Sequence, residues 1–362
     1  MSDPEKAPET EAAAERGRVR PRPPERRLAS LVRALVGAVS LAALTVAVIP
    51  SAPAFLATEL NVAQGAAPLA IRILAATVAL AGGVAVGLPL LVRALGLHRP
   101  YAVRPFDLRG RRALVIATST GAHRGTGTRT GVWASELTAP YYAFLDAGMA
   151  VDVASIVGGP IPFEPSSLWW LFRADEDDRY LRDPELQARI DRSLAIADLD
   201  FTRYDIVYLA GGWGAAYDLG FSEVLGEKVT QASAAGCVLG AVCHGPLGFL
   251  KARKPDGTPL VEGRRLTAVT NKQLRELGID MFLVAGVNIA RHTPHHPERE
   301  LRNAGALFES SRGLRDYLAS HVVVDGDLVT GQNQNSGPEA AERMLELVEA
   351  KVSAALPGPG AQ

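Results

Sequence analysis

From Ile73 to Val92 the chain runs without a single charged residue. A helix needs about 20 predominantly apolar residues to cross a bilayer, and a soluble helix of that length rarely lacks a polar face. This stretch is therefore expected to span a membrane, over residues 71–93. Gly82, Gly83, Gly87 and Pro89 are tolerated in such a helix. A second apolar stretch, from Ala34 to Ile49 and on through Phe55 and Leu56, is expected to form an earlier span over residues 31–56, with Pro50 and Pro53 at its exit. The alternatives are a buried core helix for either stretch and, for the earlier one, a signal peptide cut near Ala52-Pro53-Ala54. Arg26-Arg27 match a twin-arginine export signal poorly.

Basic residues set the orientation of spans. Arg16, Arg18, Arg20, Arg22, Arg26 and Arg27 precede the first span. Arg93, Arg99, Arg104, Arg109, Arg111 and Arg112 follow the second, and between the spans the only charge is Glu59. The expectation is a multi-pass inner-membrane protein with both termini and the remaining domain in the cytoplasm. Residues 1–27, rich in Pro, Glu and Arg, read as a disordered tail. Residues 28–97 hold the two spans, 98–112 form a basic linker, 113–355 a catalytic domain and 356–362 a short disordered tail.

The formal net charge is -1, so no global charge points to nucleic acid. The two cysteines, Cys237 and Cys243, bracket one apolar run. Six positions along a strand separate them by roughly 20 Å, too far for a disulfide. Two free thiols fit a reducing compartment.

Beyond Arg111 short β-rich runs alternate with helical spacing. Strands are expected at Ala113–Ala117, Ala150–Ser155, Ile206–Ala210, Cys237–Val242, Leu266–Val269 and His321–Val324. Helices are expected at Glu136–Ala147, Ser222–Ala235, from about His244, and from Pro338 to about Ala355. Such alternation gives an α/β fold, flavodoxin-like, with a mostly parallel sheet and helices on both faces. Its site lies at the carboxyl ends of the strands.

Val238–Val242 is continuously apolar and therefore central. Cys243 follows it at once, and Gly245 permits a sharp turn, as in a nucleophile elbow. A helix start behind the thiol would favour its thiolate. The backbone N–H of His244 is one oxyanion donor, and the pair Gly211-Gly212 on a neighbouring strand end can supply another. The competing reading is a buried structural cysteine, which suits Cys237 better. His244 is a base beside the thiol or a helix-start histidine. Glu136 is a site carboxylate or a partner of the helix dipole. His292, His295 and His296 cluster, but prolines interrupt them and no ligand spacing emerges, so no metal site is expected.

These residues fall in an ordered set of motifs. Thr130-Gly131-Val132-Trp133 leads to Glu136, Pro140-Tyr141 and Gly148. Ser155, Gly158-Gly159-Pro160 and Pro165-Ser166-Ser167 follow, then Tyr204-Asp205, Gly211-Gly212 and Asp218. The elbow is Ala241 to Pro246; Gly263, Thr267, Thr270-Asn271, Glu300-Leu301, Gly305-Ala306 and Val324 to Asn333 complete the set. From about Ala113 to Ala355 the chain resembles the DJ/PfpI branch of the class I glutamine amidotransferase-like superfamily, within it the heat-shock chaperone and glyoxalase III type.

The resemblance implies Cys243 as nucleophile, His244 as its triad neighbour and Glu136 as the carboxyl that shuttles protons. Gly212 and His244 would form the oxyanion hole through their N–H groups. It implies conversion of methylglyoxal to lactate with no cofactor and no metal, a small aldehyde or acyl substrate, and a homodimer as the common assembly. The lipid bilayer is the further partner that the two N-terminal helices imply. Alternatives are a thiol amidase or peptidase on the same elbow, or a membrane-tethered redox-sensing chaperone. The chain departs from the pattern at Leu274, where a third triad acid is expected, leaving Glu276 as the nearest candidate, two positions out of phase. Glu164 replaces the usual Asp, Gln334 replaces the usual Pro, and the membrane hairpin is an addition.

Overall fold

The computed structural model describes residues 67–98, 101–277, 296–313 and 315–355. The expected span at 31–56, both terminal tails, His292 and His295 lie outside these residues. The chain divides into two compact units, Met1–Leu91 and Val92–Gln362.

Among the described residues, one helix is long and apolar enough to cross a membrane, Ile73–Ala94, with mean hydropathy 2.1. It is built from α1 (Ala67–Gly82), a π-turn at Gly83–Gly87 and α2 (Leu88–Ala94). The π-turn begins and ends on glycine, where a widened helix turn meets least steric resistance. Thr77, a lone hydroxyl on this apolar surface, donates to the carbonyl of Ile73 at 2.8 Å. The hydroxyl donor is thus satisfied within the helix itself.

In the second unit a seven-stranded sheet has the order β3-β2-β1-β4-β5-β9-β8. Its members are β1 (Arg112–Ala117), β2 (Ala150–Ser155), β3 (Leu194–Ala195), β4 (Ile206–Leu209), β5 (Val238–Val242), β8 (Val322–Asp325) and β9 (Leu328–Gly331). All neighbours are parallel except the β8–β9 pair. The strands β4 and β5 are buried along their whole length, as continuous apolar runs demand. The sheet is covered by α3 (Ala134–Asp146), α4 (Asp175–Tyr180), α5 (Pro184–Asp191), α6 (Ala215–Asp218), α7 (Glu223–Ala234), α8 (Pro297–Asn303) and α9 (Gly337–Ala355). Two buried clusters form the core, one holding Leu137, Tyr208, Val242 and Met344, the other Leu114, Val207, Leu239 and Phe249. The chain moves outward from β1 to β2 in one direction and from β4 to β5 in the other. That reversal opens a crevice at the carboxyl ends of β1, β4 and β5, where a site belongs in such sheets.

Three expectations change. Leu266–Val269 is no strand of the main sheet. Only Arg265–Leu266 is extended (β6), and it pairs with Leu307–Phe308 (β7) in a separate two-stranded sheet. The residues after it cross the top of β9 and β5, where the Thr267 N–H meets Thr330 Oγ1 at 2.9 Å and the Val269 N–H meets the Cys243 carbonyl at 3.0 Å. The helix expected from His244 is a five-residue 3-10 helix, Gly245–Phe249. Within it Gly248 packs so closely on β4 that a Cβ there would lie 2.6 Å from Leu209 Cδ1. The stretch between β2 and β4, for which no element was expected, also holds β3, α4 and α5, too short for periodicity to reveal. Finally, 98–112 is no free linker. Leu97 and Leu108 are buried. Tyr101 donates to Glu342, and Arg104 pairs with Glu349 at 2.6 Å, both on α9.

Gly245 fixes the approach of the elbow to β4. A Cβ there would lie 2.2 Å from the backbone oxygen of Leu209. The substitution Gly245→Ala should therefore destabilise the second unit by about 1–3 kcal/mol, as overpacking does. Thermal unfolding checks this; an unchanged midpoint would contradict the close contact.

Candidate active site

Cys243 adopts φ +58°, in the left-handed region that non-glycine residues avoid. Such strain costs on the order of 1–3 kcal/mol and persists only where surroundings enforce it. Here they do. The Cys243 N–H donates to the Gly331 carbonyl of β9 at 3.0 Å, and its carbonyl accepts from Val269 at 3.0 Å. The turn lifts the thiol off the end of β5 into the crevice. The N–H groups of Gly212 and His244 both hydrogen-bond the sulfur. Gly212 has φ +104°, and a Cβ there would lie 2.4 Å from the backbone nitrogen of Trp133. Glycine alone fits that corner.

Glu136 comes from the first turn of α3. Its carboxyl lies against the Cys243 thiol and the Gly211 N–H. A Cβ on Gly211 would stand 2.5 Å from Glu136 Oε2, so the bare glycine makes the space for the carboxyl. Pro140 lies four residues later inside the same helix and has no N–H to give the Glu136 carbonyl. The buried hydroxyl of Tyr208 on β4 takes that place at 3.0 Å. Tyr208 thus repairs the helix at the residue that carries the carboxyl. Sequence reasoning missed it, although the proline four positions on implies an orphan carbonyl.

Burial dominates the electrostatics. It pushes Glu136 up to about 8, against weaker opposing pulls from the Cys243 and Gly211 hydrogen bonds. It also raises the Cys243 thiol, as does the neighbouring carboxyl, while the two amides favour the thiolate. The two groups are close enough to titrate as a pair. The helix-dipole activation expected for the thiol is replaced by two aimed amides, because the helix behind it is a short 3-10 turn. His244 is driven down to about 3 by burial and by the charge of His296, so its imidazole is neutral at working pH. Its Nδ1 lies 3.4 Å from the sulfur, and the Trp213 ring packs 5.1 Å away, centroid to centroid.

Cys243, His244, Glu136 and Gly212 therefore meet in one place. Glu276 does not join them. Its Oε1 pairs with Lys272 at 3.0 Å, and its Oε2 accepts from the Asp316 N–H at 2.8 Å. Leu274 is buried in the same apolar cluster as Cys243. His244 Nε2 is buried with no hydrogen-bond partner among the described residues. His296 opens α8. Cys237 is a different thiol: its sulfur faces the Phe201 carbonyl at 3.6 Å, and burial raises it to about 11. Glu164, in place of Asp, accepts from Thr130 Oγ1 at 2.9 Å and from Ser166 Oγ at 3.2 Å. It ties the segment ahead of Trp133 to the following turn. Gln334, in place of Pro, uses its side-chain amide to hold the Tyr317 carbonyl at 3.1 Å.

A family model described as the DJ-1/PfpI family matches residues 128–347. A glutathione-independent glyoxalase of Schizosaccharomyces pombe is 29% identical over 247 residues, covering 66% of this chain and 96% of that protein. Glyoxalase 3 of Candida albicans is 28% identical over 226 residues, covering 62% of this chain and 92% of that one. Among solved structures, glyoxalase III of Candida albicans matches with a TM-score of 0.57 at 25% identity, over 66% of this chain and 97% of that one. A Francisella tularensis rapid encystment protein of 24 kDa matches at 0.58 and 27%, over 66% and 99%.

Folding must protonate Glu136 at any pH between its ordinary 4.5 and its native value of about 8. Its contribution is complete below pH 4.5, falls as pH rises through this window, and levels off above it. Glu136→Gln removes that dependence. The stability of the variant relative to wild type should therefore grow between about pH 5 and 8, by an amount on the order of a few kcal/mol. Paired thermal melts across this range are the measurement; a constant difference would rule out a protonated native Glu136.

Proposed function

The chain belongs to the DJ-1/PfpI family, and from that premise we propose that it is a cofactor-independent, glyoxalase III-like enzyme. It converts methylglyoxal, or a related reactive aldehyde, to the corresponding hydroxy acid. The observation that carries this is the buried pair of Cys243 and Glu136 beneath two convergent amides. The named glyoxalases among its relatives support the same chemistry.

The reaction runs on the groups present. The Cys243 sulfur adds to the aldehyde carbon, and a proton reaches the oxygen to give a hemithioacetal. While charge builds on that oxygen, the N–H groups of Gly212 and His244 hold it. A base removes the hydrogen on that carbon as a proton, and the electron pair forms an enediol with the adjacent carbonyl. Returning the proton to the second carbon yields the lactyl thioester. Water then releases lactate and restores the thiol. Water is the only co-reactant, and the overall class is a lyase.

Glu136 is the better proton carrier. A group near 8 takes and returns protons at neutral pH, whereas an imidazole near 3 barely holds one. His244 serves through its amide and by packing its neutral ring beside the sulfur.

N-terminal spans at 31–56 and 71–93 hold the enzyme on the cytoplasmic side of a bilayer. The apolar helix Ile73–Ala94 and the arginines flanking the hairpin support this. A reducing cytoplasm keeps Cys243 a free thiol.

The full chain, purified in detergent, should form lactate from methylglyoxal without glutathione. Cys243→Ala should abolish turnover, and Glu136→Gln should lower kcat by about 10²–10⁴. The wild-type kcat/KM should rise with pH toward a limb near 8, set by Glu136. Lactate formation at equal rates in wild type and Cys243→Ala would refute the scheme. Acyl adducts on Cys243 from amide substrates, without lactate, would favour the hydrolase reading instead.

A further inference from the structure

Two of the four tryptophans in the chain are adjacent, Trp169 and Trp170, in the uncharged run Leu168-Trp-Trp-Leu-Phe172. Both stand on the surface, 40% and 49% exposed. Phe172, half-buried, meets Trp133 edge-on at 6.3 Å on one side and stacks with Trp169 at 6.4 Å on the other, which holds Trp169 in place at the surface.

The same segment receives the chain where it leaves α2. Arg93, in the last turn of α2, reaches the Arg173 carbonyl at 3.4 Å and Asp175 at 3.6 Å. His98 lies opposite the Phe172 carbonyl, its Nε2 at 2.7 Å, and its own N–H is held by Asn335 Oδ1 at 2.8 Å. The exposed tryptophans therefore stand a few residues ahead of the carbonyls that Arg93 and His98 reach, where the chain enters the second unit. Tryptophan is enriched at the interface of a bilayer, where its ring meets the acyl boundary and its N–H the headgroups.

We propose that Trp169 and Trp170 seat the catalytic domain on the bilayer that Ile73–Ala94 crosses, inserting at the headgroup–acyl boundary. The proposal rests on the membrane-anchor reading above. The bilayer it fits is zwitterionic. The acids that follow the tryptophans are already engaged, Asp175 with Arg93, Asp178 with Arg173 at 3.2 Å, and Asp177 buried with Thr138. With these charges paired locally, aromatic burial drives the contact. Because Phe172 packs on Trp133, which opens α3, the seat lies one layer behind the helix that carries Glu136.

The test uses the full chain in phosphatidylcholine vesicles containing lipids brominated either near the glycerol end or near the methyl end of the acyl chain. Wild-type tryptophan emission should fall by about half with the shallow bromines and little with the deep ones, insensitive to salt. Trp169→Ser/Trp170→Ser should lose most of that quenching while keeping its thermal unfolding midpoint. Alkaline carbonate treatment of the same vesicles reports the anchor separately. Protein that stays in the membrane yet shows no shallow quenching overturns the seat and leaves the anchor standing. Protein stripped by carbonate overturns the anchor, and the seat with it. The wild-type measurement decides even if the double variant fails to fold.

Discussion

Glu136 keeps its carboxyl in complete burial against the Cys243 thiol, and much of the surrounding architecture exists to hold that contact. Removing both groups from water favours their neutral forms; the carboxyl raises the thiol further, while the thiol's hydrogen bond pulls the carboxyl back. The amides of Gly212 and His244 oppose this by favouring charge on the sulfur. The site is thus poised between two costs, and a small change in pH or a bound electrophile can shift the proton. Gly211 supplies the space, Tyr208 repairs the helix that Pro140 would otherwise leave with an orphan carbonyl, and the left-handed Cys243 aims the sulfur at the pair.

The sheet order makes this possible. The thiol comes from the end of β5, the glycine pair from the end of β4, and the carboxyl from the helix that follows β1. Parallel neighbours bring their carboxyl ends to one edge, and the reversal of winding between β1 and β4 leaves room between them. At the far end of the chain β9 runs beside β5 and takes the Cys243 N–H, so the C-terminal β8–β9 hairpin helps to enforce the strain.

Much of the site was legible because its residues obey local rules. An apolar run ending in Cys-His-Gly-Pro marks an elbow, whereas Glu136, by local rules alone a site carboxylate or a partner of the helix dipole, was assigned its role by the resemblance. The β9 strand was visible only as a motif, because four residues between a turn and a loop show no period. The helix expected after His244 is a five-residue 3-10 turn, in which Gly248 packs on Leu209, 39 positions away in sequence. Glu276 was the nearest acid in sequence, but Lys272 and the Asp316 amide claim both its oxygens. Tyr208 and Trp213 carry no motif of their own; their roles lie in contacts with Glu136 and His244.

The sequence by itself determined the alternation of strand and helix, the thiol at a strand end and the apolar helix before it, because each is written in periodicity, turn residues or length. Only the tertiary structure decided the protonation of the site. Glu136 and Cys243 are 107 positions apart, and their shifts arise chiefly from burial, which no local pattern encodes. It also decided that described residues of the basic stretch after the apolar helix pack along α9, because Tyr101 and Arg104 find hydrogen-bonding partners there that are distant in sequence.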